Sequence, residues 1–400
     1  MSQTIGGNSK PRCYYCGNNP TNHLTSRIDS VVLLLLNPFL FRLLRTWFGR
    51  IVVAIADVLY SGMVRLFLLL GWATFTSDRT GITSDRGLVI LDEATRRGWM
   101  METLVVFSRI HDAYRLTLPS GRKLFFSGVP RLDPIASALS GWLDDKMLVK
   151  DCLLEASVTA SRGQSFVRLA SARQYFLAQK NAVIVKPRFG SRGRHTTTHL
   201  TTLPEFEAAF IRAKQLCISV IVEEHLTGSV YRATMIGGKL AGVLAGDPPR
   251  ITGDGVRTIA ELIVAKNTSR PARVGEVIVR DTTHTFLARL NYTIDTVLPA
   301  GVTIDLTEKI GLSYGGASRE VTPDTHPKLV AELERASAAV HDPIHGFDFI
   351  SPDITVDPDT VRWGIIECNS VPFINLHHDP LIGTPVNVAS VLFDDLTRTI

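Results

Sequence analysis

Gly346-Phe347-Asp348 and Ile365-Ile366-Glu367-Cys368-Asn369 decide how this chain reads. An aspartate closes one short apolar run, and a glutamate and an asparagine lie two apart in another. Side chains two apart on a strand project from the same face. Glu367 and Asn369 are therefore expected together, with Asp348 aimed at the same point from a neighbouring strand. Three oxygen donors of this kind suit a hard cation such as Mg²⁺, commonly shared with the phosphates of a nucleotide.

Working outward, 400 residues allow two or three units of ordinary domain size. Apolar residues make up 45% and charged residues 20%, which excludes a disordered chain. The net charge of +5 is uneven. Residues 1–79 hold eight basic side chains against Asp29, Asp57 and Asp78, which accounts for the whole excess. The remaining body is neutral, so nothing calls for a nucleic-acid partner. Five cysteines are few for this length, and Cys152, Cys217 and Cys368 stand singly in apolar surroundings. A reducing, cytoplasmic compartment is expected. Cys13 and Cys16 have the spacing of half a zinc knuckle, with His23 following. No second pair completes it, so the pair is read as coincidental.

Residues 1–27 read as a polar, disordered tail. From Ile28 to Thr76 the chain is dominated by Val, Leu, Ile, Phe and Trp. No 18-residue stretch there is free of charge, which argues against an ordinary spanning helix. Asn37-Pro38 marks a helix start or kink. Arg42, Arg45, Arg50, Asp57 and Arg65 fall on one broad side of a helical projection. Phe41, Leu44, Phe48, Val52, Ile55, Leu59 and Leu66 fall on the other. Two readings stand side by side: an in-plane helix giving peripheral membrane contact, or a helical hairpin packed on the body or on a second copy in a homo-oligomer. A charge-interrupted spanning segment is a weaker third.

Beyond Asp78 the pattern becomes α/β. Leu88–Leu91 reads as a strand, 92–98 as a short helix ending at Gly98, and 104–107 as another strand. Tyr114 to Phe126 alternates around Pro119-Ser120-Gly121, a hairpin signal. Residues 80–140 thus form a small α/β unit, and 141–400 a larger domain with lobes near 181–228 and 229–400. Trp142 to Ser157 reads as helical and carries Lys146 and Lys150. Asn181 to Pro187 is a buried strand, 189–195 a glycine-bearing loop, and 196–200 its return strand. Pro204 to Cys217 reads as a helix and Ser219 to Glu224 as another buried strand. Lys186 closes a strand directly before the glycine loop, where its ammonium can reach phosphate oxygens held by loop N–H groups.

Glycine loops alone are weak signals; the order of the parts is more specific. Asp145-Lys146-Met-Leu-Val-Lys150, Val183-Ile-Val-Lys-Pro-Arg-Phe-Gly-Ser-Arg-Gly193, and Val220-Ile-Val-Glu-Glu-His-Leu-Thr-Gly228 come first. Tyr231-Arg232, Thr252-Gly-Asp-Gly-Val-Arg-Thr-Ile-Ala-Glu-Leu262 and Leu312-Ser-Tyr-Gly-Gly-Ala317 follow, then the two terminal stretches. From about Trp142 onward this set resembles the ATP-grasp superfamily, and within it the ATP-grasp module of cyanophycin synthetases.

The resemblance implies an ATP-grasp α/β (α+β) fold, with the small α/β unit and the hydrophobic helical segment before it. It implies a carboxylate–amine ligase that makes an amide or peptide bond through an acylphosphate, joining a small-molecule or peptide carboxylate to an amine. Lys146 and Lys186 would hold ATP phosphates, with Gly190, Ser191 and Gly193 in the cradling loop. Glu223 would bond the adenine amino group, and the backbone of Glu224 and Leu226 would line its slot. Asp348, Glu367 and Asn369 would carry one or two Mg²⁺ ions, for which Mn²⁺ can substitute. Arg232, together with Lys186, would steady phosphate charge, and Ser313, Gly315 and Gly316 would border the acceptor site.

The chain departs from the family in three places. Val230 stands where an acid usually precedes the Tyr-Arg pair and binds ribose. His195 stands where loops often carry glycine, and Pro372-Phe373 replaces Pro-Gly after the metal asparagine. No Mur-ligase-like P-loop occurs, so a product other than cyanophycin is expected. Val230 also motivates an alternative from another class, a catalytically silent ATP-binding scaffold or regulator at a membrane surface. His377-His378 are read as structural or solvated.

Overall fold

Two long helices open the part of the chain that the computed structural model describes, residues 13–16, 20–44, 46–79, 82, 84–132 and 140–399. Helix α1 (His23–Leu44) continues through Pro38, and α2 (Trp47–Leu69) starts at Thr46, whose hydroxyl accepts from Gly49 N at 3.1 Å. Of the anticipated apolar stripe, Phe48, Val52, Ile55, Leu59 and Leu66 are exposed, Leu59 by 67%. Arg45 and the side chains of Phe41, Leu44 and Asp57 lie outside the described residues. The covered line of α2 runs instead through Gly49, Val53 and Val64. Packing on the body therefore does not explain the stripe. Among the described residues, no helix is long and apolar enough to cross a membrane.

The next elements are β1 (Ala73–Thr76), α3 (Asp85–Arg96), β2 (Met100–Val106), β3 (Arg109–Thr117) and β4 (Lys123–Ser127). The four strands form one antiparallel sheet in the order β1-β2-β3-β4. Two expectations are corrected here. Ala73–Thr76, assigned to the hydrophobic segment, is the edge strand of this sheet. Leu88–Leu91, read as a strand, lies inside α3. Ser84 caps that helix by accepting from Gly87 N, Asp85 occupies its first turn, and Ile90, Glu93 and Ala94 are buried at helical spacing. A four-residue apolar run looks the same in either element, and here the caps decide. The expected hairpin and the strand near 104–107 are present.

Helix α4 (Lys146–Glu155) precedes β5 (Gly163–Phe166), α5 (Leu169–Leu177), β6 (Val183–Pro187), β7 (Thr197–Leu200), α6 (Leu203–Ala213) and β8 (Val220–Glu224). Then come β9 (Ser229–Ile236), β10 (Lys239–Asp247), the β11–β12 ribbon (Arg250–Thr252, Thr303–Asp305), β13 (Ala317–Glu320), β14 (Ile344–Ser351) and β15 (Gly364–Asn369). The fold is a mixed α/β architecture of antiparallel sheets.

The chain divides into two units, Met1–Leu36 with Arg162–His225, and Asn37–Ser161 with Leu226–Ile400. The smaller holds the sheet β5-β8-β6-β7 with α5 and α6 packed on it. Phe176 stacks on Phe206 at 4.4 Å, over Val183, Val185, Val220 and Val222. Strand β5 approaches β8 so closely that a side chain at Gly163 would meet Glu223 Cβ at 2.4 Å and Val222 O at 2.6 Å. The larger unit is built on the sheet β13-β10-β9-β14-β15. Helices α4 and Pro327–Val340 pack on it around Phe347, Phe349, Val243 and Leu333.

Candidate active site

In the smaller unit, Lys186 lies opposite Ile221 and Glu223 opposite Ile184 on the antiparallel β6–β8 pair. That register puts both charged side chains on one face as diagonal neighbours. Lys186 Nζ is 2.5 Å from Glu223 Oε1, and both side chains are buried on the face of the sheet opposite Val183, Val185, Val220 and Val222. The two residues expected to meet phosphate and adenine are thus partners of each other. Glu224, one residue on, points the other way. Its carboxylate accepts from Arg162 N at 2.6 Å, and its own N–H donates to Arg162 O. These bonds fix the entry of β5.

The loop after β6 turns through four left-handed residues, Gly190, Arg192, Gly193 and His195, with φ of +120°, +61°, +60° and +53°. A backbone that changes hand can cradle an anion, while here the N–H groups of Arg194 and Thr196 donate to Ser191 O and Gly193 O within the loop and that of His195 to Tyr15 O. Gly190, Ser191 and Gly193 are exposed, as a cradle requires.

In the larger unit, three adjacent strands carry the second group. Asp348 in β14 faces Arg232 of β9 on one side and Glu367 of β15 on the other. Arg232 Nε and Nη2 donate to Asp348 Oδ1 and Oδ2, each at 2.8 Å. This bidentate fork is the strongest arrangement available to the pair. Burial works against the guanidinium charge, but Asp348 outweighs it and holds Arg232 above its ordinary pKa. Asn369 Nδ2 approaches Asp348 Oδ1 at 3.4 Å, and Lys146 Nζ lies 3.4 Å from Glu367 Oε2. A bulge at Asp348/Phe349 shifts the register. Glu367 and Asn369 share one face while Cys368 is buried on the other, as their spacing predicts. The donors are all oxygen, hard and clustered, which fits Mg²⁺ or Mn²⁺.

Lys146 is the first residue of α4, directly after Asp145, whose carboxylate caps Met147 N and Leu148 N. Lys150 is also buried and donates to Ser161 Oγ at 2.9 Å. Leu226 is buried in the larger unit. Ser313 lies in a 3₁₀ turn, Gly315 is left-handed, and Gly316 N donates to Gly311 O. That loop leads into β13, in the same sheet as Arg232 and Asp348. Val230 lies two residues from Arg232, on its face of β9.

Two supporting residues escaped the sequence reading. Asp144 accepts from Ser370 N at 3.1 Å and Ser370 Oγ at 2.8 Å, which pins the strand end beyond Asn369. Burial pushes its pKa up. Arg131 is buried and donates to the carbonyls of Ile344, at 2.7 Å, and Ser370, tying β14 to the end of β15. Neither stands in a recognisable motif, so only folding reveals them. The structural reading of the paired histidines is borne out. His377 is buried between Glu320 Oε2 at 2.8 Å and Thr234 Oγ1 at 2.9 Å, and His378 Nε2 accepts from Ala389 N.

No family model matches the chain. It is 31% identical over 269 residues to cyanophycin synthetase of Synechocystis sp., a match covering 63% of this chain and 30% of the relative. It is 27% identical over 275 residues to the glutathione biosynthesis bifunctional protein of Mannheimia succiniciproducens, covering 64% and 36%. The chain thus spans about a third of the length of these curated relatives. A solved bifunctional glutathione synthetase from Pasteurella multocida superposes with a TM-score of 0.56 at 22% identity, covering 79% of this chain and 44% of that one. The fold is shared with that enzyme. The similarity to cyanophycin synthetases drawn from the motifs holds across the matched region.

Proposed function

We propose that this chain is an ATP- and Mg²⁺-dependent carboxylate–amine ligase. One observation carries the reading: Arg232, Asp348, Glu367 and Asn369 meet on three adjacent strands, with Lys146 against Glu367. Phosphoryl transfer needs little covalent help from protein; it needs positioning and neutralisation of spreading charge. In this reading Asp348, Glu367 and Asn369 hold the Mg²⁺, which when bound neutralises the phosphates. Lys146, Lys186 and the N–H groups of Gly190, Ser191 and Gly193 bind the phosphates. Glu223 and the backbone of Glu224 and Leu226 select adenine, and Arg232 steadies the transferring group. A substrate carboxylate oxygen bonds to the γ-phosphorus as the bond to ADP breaks. The amine then attacks the acyl carbon, loses a proton, and phosphate leaves. The loop of Ser313, Gly315 and Gly316 borders the acceptor.

ADP and phosphate release from the full chain, with ATP and Mg²⁺ against panels of amino acids and short peptides, tests the proposal. Release that requires both an acid and an amine supports it. ATP binding that persists without turnover under every pairing favours the silent scaffold instead, the reading that Val230 motivates.

The exposed apolar helices fit an anionic membrane surface in this reading. Trp47, Ile55 and Leu59 are exposed, as are Arg42, Arg50 and Arg65. Aromatic and aliphatic side chains with arginines suit in-plane binding. Flotation with anionic vesicles should retain the wild type and release Leu59→Glu; equal flotation of both would remove this part.

A further inference from the structure

Cys13-x₂-Cys16 offers two metal ligands, and the expectation of a coincidental pair assumed that a second pair would have to follow in sequence. The fold supplies the missing ligands from two separate places. His23 is the first residue of α1, and His195 is the last of the glycine loop, 182 residues from Cys13. The four ligand atoms lie within 4.8 Å of one another. Cys13 Sγ is 3.3 Å from His195 Nε2, and Cys16 Sγ is 3.2 Å from His23 Nε2 and 3.5 Å from His195 Nε2. Zinc bonds of about 2.3 Å to sulfur and about 2.0 Å to nitrogen, in a tetrahedron, set S···N separations of about 3.5 Å. The cluster has nearly that size before any ion is placed in it.

Three further features prepare it. His195 Nδ1 donates to Arg212 O at 2.8 Å, which leaves the Nε2 lone pair facing the thiols. Metal-bound histidines are oriented by this kind of outer bond. His195 holds a left-handed backbone, φ +53°, uncommon for a side-chain-bearing residue, and its N–H donates to Tyr15 O. Tyr15 is covered by the Arg212 guanidinium at 4.0 Å, so the turn between the cysteines is itself packed. Cys16 and His195 are buried, and all four ligands belong to the smaller unit.

We propose that Cys13, Cys16, His23 and His195 bind one Zn²⁺ in a closed Cys₂His₂ site that fastens the N-terminal segment to the end of the glycine loop. Two thiolates and two imidazoles select zinc over Mg²⁺ or Ca²⁺, and four protein ligands leave no open position for chemistry. The site is structural and does not depend on the ligase reading.

The test is metal analysis of the full chain purified without added chelator, with Co²⁺ alone as the spectroscopic probe. The expected result is one zinc per chain. Co²⁺ in its place should show thiolate charge-transfer and tetrahedral ligand-field bands. Cys13→Ser and His195→Ala should each weaken zinc binding by at least tenfold, while Asp348→Asn leaves it unchanged. Zinc-free wild type that gives no thiolate–cobalt band would overturn the proposal, as would equal zinc content in wild type and both ligand variants. The wild-type cobalt spectrum decides even if a variant fails to fold.

Discussion

The two donor clusters differ in nearly every physical respect. Asp348, Glu367 and Asn369 are oxygen donors on adjacent strands, already engaged by Arg232 and Lys146. Cys13, Cys16, His23 and His195 are sulfur and nitrogen donors gathered from three places in the chain. In the proposed function the first set would hold a metal with coordination positions open to a substrate, with Arg232 and Lys146 at hand to share its charge. The second is complete with four and is braced by a backbone carbonyl. An open site can take part in turnover, whereas a closed one contributes fold and order.

The largest effect should come from breaking the open site. Asp348→Asn or Glu367→Gln should lower ligase turnover by about a hundredfold or more, measured as ADP release. Full activity in either variant would remove the oxygen cluster from catalysis. A brief EDTA treatment should abolish turnover, with Mg²⁺ alone restoring it, while the zinc content stays constant. Zinc lost in parallel with activity would erase the distinction between the clusters.

Next comes the buried pair of the smaller unit. Lys186→Ala removes the ion-pair partner of buried Glu223 and should cost about 3–5 kcal/mol in chemical denaturation, besides weakening ATP binding in calorimetry. Lys186→Met combined with Glu223→Gln should recover much of the stability but not the ATP affinity. Gly163→Ala should cost about 1–3 kcal/mol, because its side chain would press on Glu223 and the Val222 carbonyl across the strand pair.

The smallest effect sets the pH floor under which either cluster is studied. Arg96 and then Arg97 donate to Glu93, outweigh its burial and hold its carboxyl at about 2, below the ordinary 4.5. A depressed carboxyl contributes stability that is fully present above pH 4.5 and lost as pH falls towards 2. Glu93→Gln should lower stability above pH 4.5 and flatten the acid limb, so that variant and wild type converge as pH falls towards 2.

Much of the site was legible because strand periodicity is local. Glu367 and Asn369 share a face because they are two apart, and Lys186 ends a buried run whatever surrounds it. The α3 misreading shows the limit: Leu88–Leu91 fits strand or helix, and the Ser84 cap and Arg96 at the far end tip the balance. Asp144 and Arg131 lacked any signal, since their partners lie more than two hundred residues away.

By itself the sequence determined which segments alternate, where the glycine loop follows a lysine, and which oxygen donors belong together. Those are properties of short stretches, governed by backbone geometry and side-chain spacing. Tertiary structure alone decided that Lys186 pairs with Glu223, that Arg232 forks onto Asp348, and that His195 joins Cys13, Cys16 and His23. Such pairings depend on register between strands and on loop closure across long spans of chain. Their free energy comes from burying many groups at once, and no local window of residues contains it.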